Sequence, residues 1–408
     1  MVNGEWRLLA CALASCLALS AHSAEEGDAA GGGVVGSGGP GETFRISGFA
    51  TLGAVRTSTD DVEFVRDLSQ ARGAKKNWTA KTDSLLGLQA DWQPTPQWQV
   101  TVQGLSRYRF DRTFQPEFSW AFVKYQPDPN ISLRLGRLGT EFFMQADSRW
   151  VGYSFLSVRP AGDYFWYLPF HTIDGADASL NQVVGEGVLR SNLFYGISRG
   201  KAPLADEQWN ISGSPMLGGY LEYQHGPWTG RVGYANIRFA HDLPLVPVLA
   251  SEGVSISPAD AQLLQLEGKR SHYYALGLVY DQGPLQVQAM LNRIDQGTRA
   301  LEDSSAAYVL AGYRVREWTP YLGVSRVYSR RASQGKGPVV AAVRASSHSD
   351  QKTVFVGTRW DFARNLALKV QWDRVRGRPA SIFPYRMEDV ARWNGKVDVF
   401  SLSLDVVF

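Results

Sequence analysis

Lys396-Val397-Asp398-Val399-Phe400-Ser401-Leu402-Ser403-Leu404-Asp405-Val406-Val407-Phe408 is the stretch on which the fold turns. Val397, Val399, Ser401, Ser403 and Asp405 share one phase of a period-two pattern, while Phe400, Leu402, Leu404, Val406 and Phe408 share the other. Residues two apart point to the same face of a strand, so the segment reads as a strand with one apolar face. An apolar face on a strand that ends in an aromatic residue at the chain terminus is unusual beside water. It points to lipid on that side.

Working back from this strand, one cadence repeats between residues 43 and 408, an alternating run, a tight turn, another run and a longer polar loop, and gives sixteen runs in all. The connections after even-numbered runs are short and rich in turn formers, among them Pro94-Thr95-Pro96-Gln97, Pro127-Asp128-Pro129-Asn130, Gly185-Glu186-Gly187, Gly226-Pro227 and Ala363-Arg364-Asn365. Those after odd-numbered runs are mostly long, as at residues 57–82, 139–172, 240–270 and 377–395. An even number of strands with turns at one end and loops at the other predicts an all-β, antiparallel transmembrane barrel whose turns face the periplasm. Its first run, near residues 43–56, then pairs with the last and removes every open edge. The run at residues 116–126 is ambiguous in phase, because Phe118, Trp120 and Phe122 alternate against Ala121, Val123 and Tyr125.

The amino terminus carries Arg7, an apolar run over residues 8–19 and small residues through Ala24. Residues 1–24 read as a secretory signal, cleaved after Ser23 or Ala24; Leu13-Ala14-Ser15-Cys16 offers the rival reading of a lipidation site. Residues 25–42 form a Gly-rich leader, and residues 43–408 a single domain. Cys11 and Cys16 are the only cysteines, so the mature chain has no thiol for a disulfide or metal site. Past the signal no run approaches the 18 or so apolar residues of a spanning helix, which leaves strands to cross the membrane. A net charge of +3 is too small to imply nucleic-acid binding, yet 32 of the 42 basic residues are Arg, suited to bidentate contact with anions.

Trp92, Trp98, Trp228, Trp318 and Trp360 fall beside the short turns, where an interfacial aromatic girdle belongs. Polar residues occupy the opposite phase: Gln99, Thr101, Gln103, Arg107 and Arg109 in one run, Lys369, Gln371 and Asp373 in another. The inner wall is therefore expected to be wet and locally basic. An outer-membrane hydrolase would need a nucleophile, a base and an orienting group together, but His171, His225, His241, His272 and His348 lie near run ends or in loops without a Ser motif. No metal spacing or cofactor motif is present. A receptor or scaffold acting through its loops is the other alternative, and Pro258-Ala259-Asp260 opens a short helix in one of them.

The cadence, the terminus Asp405-Val406-Val407-Phe408 and the segment Leu133-Arg134-Leu135-Gly136-Arg137 before a long third loop resemble the Gram-negative outer-membrane porins of the sixteen-stranded, usually trimeric class. The resemblance spans about residues 43–408. It implies a homotrimer in the outer membrane, in contact with its lipid and lipopolysaccharide, forming a passive channel for small hydrophilic solutes without catalysis. It also implies that Phe408 is the signal read by the barrel-assembly machinery and that residues 139–172 fold into the lumen. Acids and bases of such an eyelet would be Glu141, Asp147, Arg149, Arg159 and Asp163 on the loop, with Arg107, Arg109, Arg134, Arg137 and Arg359 on the wall, an arrangement that would favour anions. The aromatic group Tyr164-Phe165-Trp166-Tyr167 departs from that pattern, and would serve either a sugar or the docking of the loop.

Overall fold

The terminal strand, Lys396–Val407, lies antiparallel to Thr43–Thr57, with Phe49 opposite Val407 and Thr57 opposite Val399. Phe408 finishes this seam: its amide donates to the carbonyl of Gly48 at 3.0 Å, and the Gly48 amide donates back at 2.8 Å. A Cβ on residue 48 would stand 2.4 Å from the Phe408 ring, so glycine is what lets the ring pack there. The computed structural model describes residues 34–37, 43–165, 171–204, 207–330, 337–378, 386–387 and 392–408. The signal and most of the leader lie outside these residues; within the leader, Val34–Ser37 pairs with the start of the first barrel strand.

Sixteen strands make the barrel. They are β1 (Thr43–Thr57), β2 (Leu85–Thr95), β3 (Trp98–Arg107), β4 (Glu117–Asp128), β5 (Ile131–Gly139), β6 (Thr172–Val184), β7 (Gly187–Arg199) and β8 (Pro215–His225). The second half comprises β9 (Trp228–Arg238), β10 (Arg270–Gln282), β11 (Leu285–Gln296), β12 (Ser304–Tyr313), β13 (Trp318–Ser329), β14 (Asp350–Ala363), β15 (Leu366–Gly377) and β16 (Lys396–Val407). Each pairs antiparallel with its neighbours in sequence, and β16 returns to β1. Closure satisfies the backbone in a solvent that offers no hydrogen-bond partner. No helix among the described residues is long and apolar enough to cross a membrane.

Along each strand one phase is exposed and apolar. Leu276 and Leu278 on β10, Leu322 and Val324 on β13, Val354 and Val356 on β14, and Phe400 and Leu402 on β16 all face outward. At the turn end the aromatic residues meet in cross-strand pairs: Trp98 with Tyr125 at 4.5 Å between ring centroids, Trp228 with Tyr280 at 4.8 Å, and Trp318 stacked on Trp360 at 5.0 Å. Rings with an apolar body and a polar edge suit the boundary between hydrocarbon and water.

Two details differ from the pattern. The alternation carries the run of Gln99, Thr101 and Gln103 on through Arg109, but β3 ends at Arg107, and Tyr108 is buried. On β4 the register shifts opposite Gln103 and Gly104, leaving Ser119 as an extra residue whose hydroxyl donates to Gln103 Oε1 at 2.7 Å. That bulge changes the phase partway along the strand, which is why no single alternation describes residues 116–126. The helix expected at Pro258 forms as Pro258–Leu263, capped by Ser257 Oγ, which accepts from the Asp260 amide at 3.1 Å.

If the exposed phase faces hydrocarbon, Leu322→Arg costs about 2–4 kcal/mol of stability when the barrel is refolded into vesicles. Gln286→Arg, on the inner phase near a turn, leaves stability nearly unchanged. Equal effects in a denaturant titration would contradict the assignment of faces.

Candidate pore constriction

The long connection from β5 to β6 enters the lumen and touches wall after wall. Glu141 meets Arg134 on β5, whose Nη2 donates to Oε1 at 3.0 Å while the rest of the guanidinium grips Asp177 on β6. Arg231 on β9 donates to the carbonyl of Phe143 at 3.2 Å and to that of Glu141 at 3.5 Å. The loop backbone runs so close to β9 that a Cβ on Gly233 would be 1.5 Å from the Phe142 carbonyl oxygen. Phe142, Phe143, Tyr164 and Phe165 form one aromatic cluster, which packs on Tyr273 of β10 at 5.8 Å and Tyr308 of β12 at 5.5 Å between centroids. These rings are buried and glue the loop to the wall.

Further along, the loop reaches the opposite side of the barrel. Trp150 packs among Phe49, Leu85 and Leu105. Its ring face carries Arg107 at 4.3 Å and Arg149 at 4.8 Å. Gly152 abuts Thr51 and Asp405, where a Cβ would be 2.1 Å from a carboxylate oxygen. Lys369 on β15 donates to the carbonyls of Gly152 at 2.7 Å and Ser157 at 3.2 Å while pairing with Asp405 at 3.0 Å. Arg359 on β14 donates to the carbonyls of Tyr153 at 2.6 Å and Phe155 at 3.1 Å and pairs with Asp361 at 2.7 Å. A loop held on both sides of a barrel crosses it and narrows the passage.

At two places the loop meets the wall through its cations. The loop supplies the cations: Arg159 grips Asp83 at 2.7 Å and Asp373 at 3.4 Å, and Arg149 meets Asp67 at 3.6 Å. The wall and the β1–β2 connection supply the carboxylates. Burial works against ionising Asp67, yet Arg107 and Arg149 hold its carboxyl down to about 2, while burial pulls the Arg149 guanidinium down to about 10. Asp163 is buried and accepts from Ser325 at 2.7 Å and Gln351 at 2.6 Å; burial raises its pKa. Glu141 is also pushed up by burial, against the pull of Arg134, and Asp147 is exposed.

The remaining candidates are Arg107, Arg109 and Arg137. Arg107 is buried against Ser69 and Trp150, and Arg109, past the end of β3, pairs with Glu117 at 2.7 Å and Asp111 at 2.9 Å. Arg137 is a correction. It shares the phase of the exposed Leu133 and Leu135, and on the outer face it pairs with Asp174 at 2.8 Å, a carboxylate that Arg199 also holds at 2.6 Å. Arg134 and Arg137 are three apart, so an alternating strand sends them to opposite faces. Trp166 and Tyr167 lie outside the described residues. Sequence reasoning passed over Lys124, Arg190 and Arg231 on the inner phase of β4, β7 and β9, and placed Lys369 on the wet face without giving it a role. Their phase within each run was the available signal.

The sequence profile of the Gram-negative porin family matches residues 9–380, and the chain belongs to that family. It is an outer-membrane channel protein. Among solved structures it resembles Salmonella typhi OmpF in complex with daunomycin, at 13% identity and TM-score 0.57, over 90% of this chain and 98% of that one. An anion-selective porin from Comamonas acidovorans matches at 12% identity and TM-score 0.55, over 90% and 100% of the two chains. The trimer form of in-vitro folded OmpT from Vibrio cholerae matches at 11% and 0.52, over 90% and 100%. No curated protein sequence matches.

Gly233→Ala is expected to push the loop off β9, cost about 1–3 kcal/mol through overpacking, and give larger, noisier single-channel currents. Unchanged currents would contradict the close approach. For the clamp at Asp67, a folded-state value below the ordinary carboxylate value of about 3.9 means its stabilisation is full above about pH 4 and is lost as pH falls further. The fluorescence of Trp150, compared with a Trp150→Phe control, should therefore hold steady from neutral pH to about pH 4 and change below it.

Proposed function

We propose that this barrel is a passive, water-filled channel for small hydrophilic solutes, weakly preferring anions and performing no chemistry. The observation that carries this reading is the state of the inward-facing charges beside the loop. Arg231 pairs with Glu222 at 2.6 Å, Arg134 with Glu141 and Asp177, and Arg359 with Asp361, so most wall cations are matched. Lys124 has no ion pair among the described residues, and Arg190 is 49% exposed with Glu222 at 3.5 Å. Against these two stand Asp147, exposed on the loop, and Asp91 and Asp281, which lie on the inner phase of β2 and β10 without an ion pair among the described residues. In a narrow passage with low-dielectric walls a small local excess of one sign is focused, and beside the loop Lys124 and Arg190 would supply a positive one. The likeness to an anion-selective porin agrees with that sign.

The histidines support a reading without catalysis. His171 faces Arg107 and Glu117, His225 faces Glu186, His272 meets the Tyr234 hydroxyl on the outer surface, and His348 pairs with Glu302. None of these contacts presents a serine or threonine to a base, as a hydrolase would need. Assembly as a homotrimer follows the trimer form of the Vibrio protein. Phe408, at the free end of the closing strand, is the residue by which the barrel-assembly machinery would recognise the chain. The surrounding partners are the outer-membrane lipids and lipopolysaccharide.

Purified protein in planar bilayers should give discrete conductance steps, with a reversal potential under a salt gradient displaced toward the anion side. Lys124→Gln combined with Arg190→Gln should move it toward cations. A silent barrel would overturn the channel reading, and an unmoved potential would overturn the assignment of the charge.

A further inference from the structure

The bulge at Ser119 decides where two aromatic side chains go. Phe118 is exposed on the outer face, and without the extra residue Trp120 and Phe122 would follow it into the lipid. With it, Trp120 lies opposite Gln103, and Phe122 opposite Thr101, both on the inner phase. The two rings are half-buried, with centroids 6.5 Å apart. Every other inner-phase ring on the barrel strands, among the described residues, is buried, as Phe194 on β7, Tyr220 on β8 and Tyr308 on β12 are. Trp120 and Phe122 therefore keep part of their surface toward the lumen. A ring left in contact with water forgoes the stabilisation of burial, which is then available to a solute that covers it.

Lys124 follows on the same phase, one step nearer the turn end, opposite Gln99 on β3 and Arg134 on β5. Its ammonium has no ion pair among the described residues, whereas Arg134 is held by Asp177 and Glu141. Arg134 also lies over Phe122, 5.3 Å from its centroid, and brings a second cation to that ring. The polar row beside the rings is engaged with itself. Asp91 on β2 accepts from Gln89 at 2.8 Å, Gln99 at 3.0 Å and Thr101 at 2.6 Å, while Gln103 donates to Gln89 at 2.8 Å and accepts from Ser119 at 2.7 Å. The Asp91 carboxylate is two strands from Lys124, about 10 Å across the sheet. What this part of the wall leaves open is two rings and one ammonium. Opposite Phe122 stands Gly136, which puts no side chain beside the ring.

We propose that Trp120, Phe122 and Lys124 form a binding track for small aromatic carboxylates, the two rings stacking on the solute's ring and the ammonium taking its carboxylate. The proposal rests on the channel reading above and narrows its solute from any small anion to a flat one. Residues two apart on one face of a strand are separated by about 7 Å, which lets a one-ring acid lie on Phe122 with its carboxylate at Lys124. β4 runs from the loop end to the turn end, so a solute entering from outside meets Trp120, then Phe122, then Lys124. Paired rings attract beyond the area they bury, and a charge-assisted hydrogen bond fixes the acid's direction. A neutral sugar would need open hydrogen-bond partners along the track, and the row on β2 and β3 is bonded to itself.

The test compares benzoate with cyclohexanecarboxylate, which has the same charge and a saturated ring, as blockers of the chloride current of the full barrel in planar bilayers. Benzoate should reach half-block at a concentration lower by on the order of fivefold. Trp120→Leu combined with Phe122→Leu should remove that difference, Trp120→Phe should keep most of it, and Lys124→Gln should weaken both acids alike. Equal block by the two acids in the wild type, or a difference that survives in the double variant, would overturn the proposal. So would block by glucose at the concentration at which benzoate acts, which would make the track one for sugars. Saturation-transfer NMR of the two acids on the detergent-solubilised barrel reads binding without current. A silent barrel that still prefers benzoate would fault the channel reading alone, and a conducting barrel that binds both acids equally would fault the track alone.

Discussion

Hydrocarbon gives a peptide group nothing to bond with, so every strand that crosses it must be paired on both edges. The pairing of β16 with β1 is the contact that meets this demand for the whole chain, since it joins residues more than three hundred positions apart and leaves no open edge. Everything else in the molecule follows from closure. A closed barrel has an outside that must be apolar and an inside that is free to be polar, and the alternation along each strand is the sequence's answer to both requirements. The even strand number puts all turns at one end, where the tryptophan pairs gather, and all loops at the other.

The lumen is filled by a different logic from that of the wall. The β5–β6 connection is held by aromatic packing on β10–β12 and by wall cations that donate to its backbone carbonyls, as Arg231, Arg359 and Lys369 do. Each of these three cations also pairs with a wall carboxylate, Glu222, Asp361 and Asp405 in turn, and Arg149 and Arg159 on the loop are buried in pairs with Asp67, Asp83 and Asp373. Buried pairs of this kind fix geometry more than they add stability. Among the inward groups, Lys124 is half-buried without an ion pair among the described residues, and Arg190 and Asp147 are exposed.

The barrel was legible because its rules are local. Turn formers such as Gly226-Pro227 and the alternation of residues 396–408 report on neighbours in sequence, and they place strands to within a few residues. The constriction was less legible because its contacts are remote: Lys369 lies on a strand whose partner in the loop, Gly152, is more than two hundred residues away. Phase alone separates Arg134 from Arg137, and applying it strictly sends the second outward. The bulge at Ser119 could not be read from the alternation, since one extra residue shows only as a pattern that fails.

On the reading proposed above, residues 140–165 lie inside a water-filled passage and bound it. The chain has no cysteine beyond Cys16, so Asp147→Cys would place a single thiol on the exposed part of the loop. Adding a charged, water-soluble thiol reagent to one open channel in a planar bilayer should lower the current in a single irreversible step, and the wild type should not respond. A current that stays constant while the thiol is shown to be modified would contradict the claim.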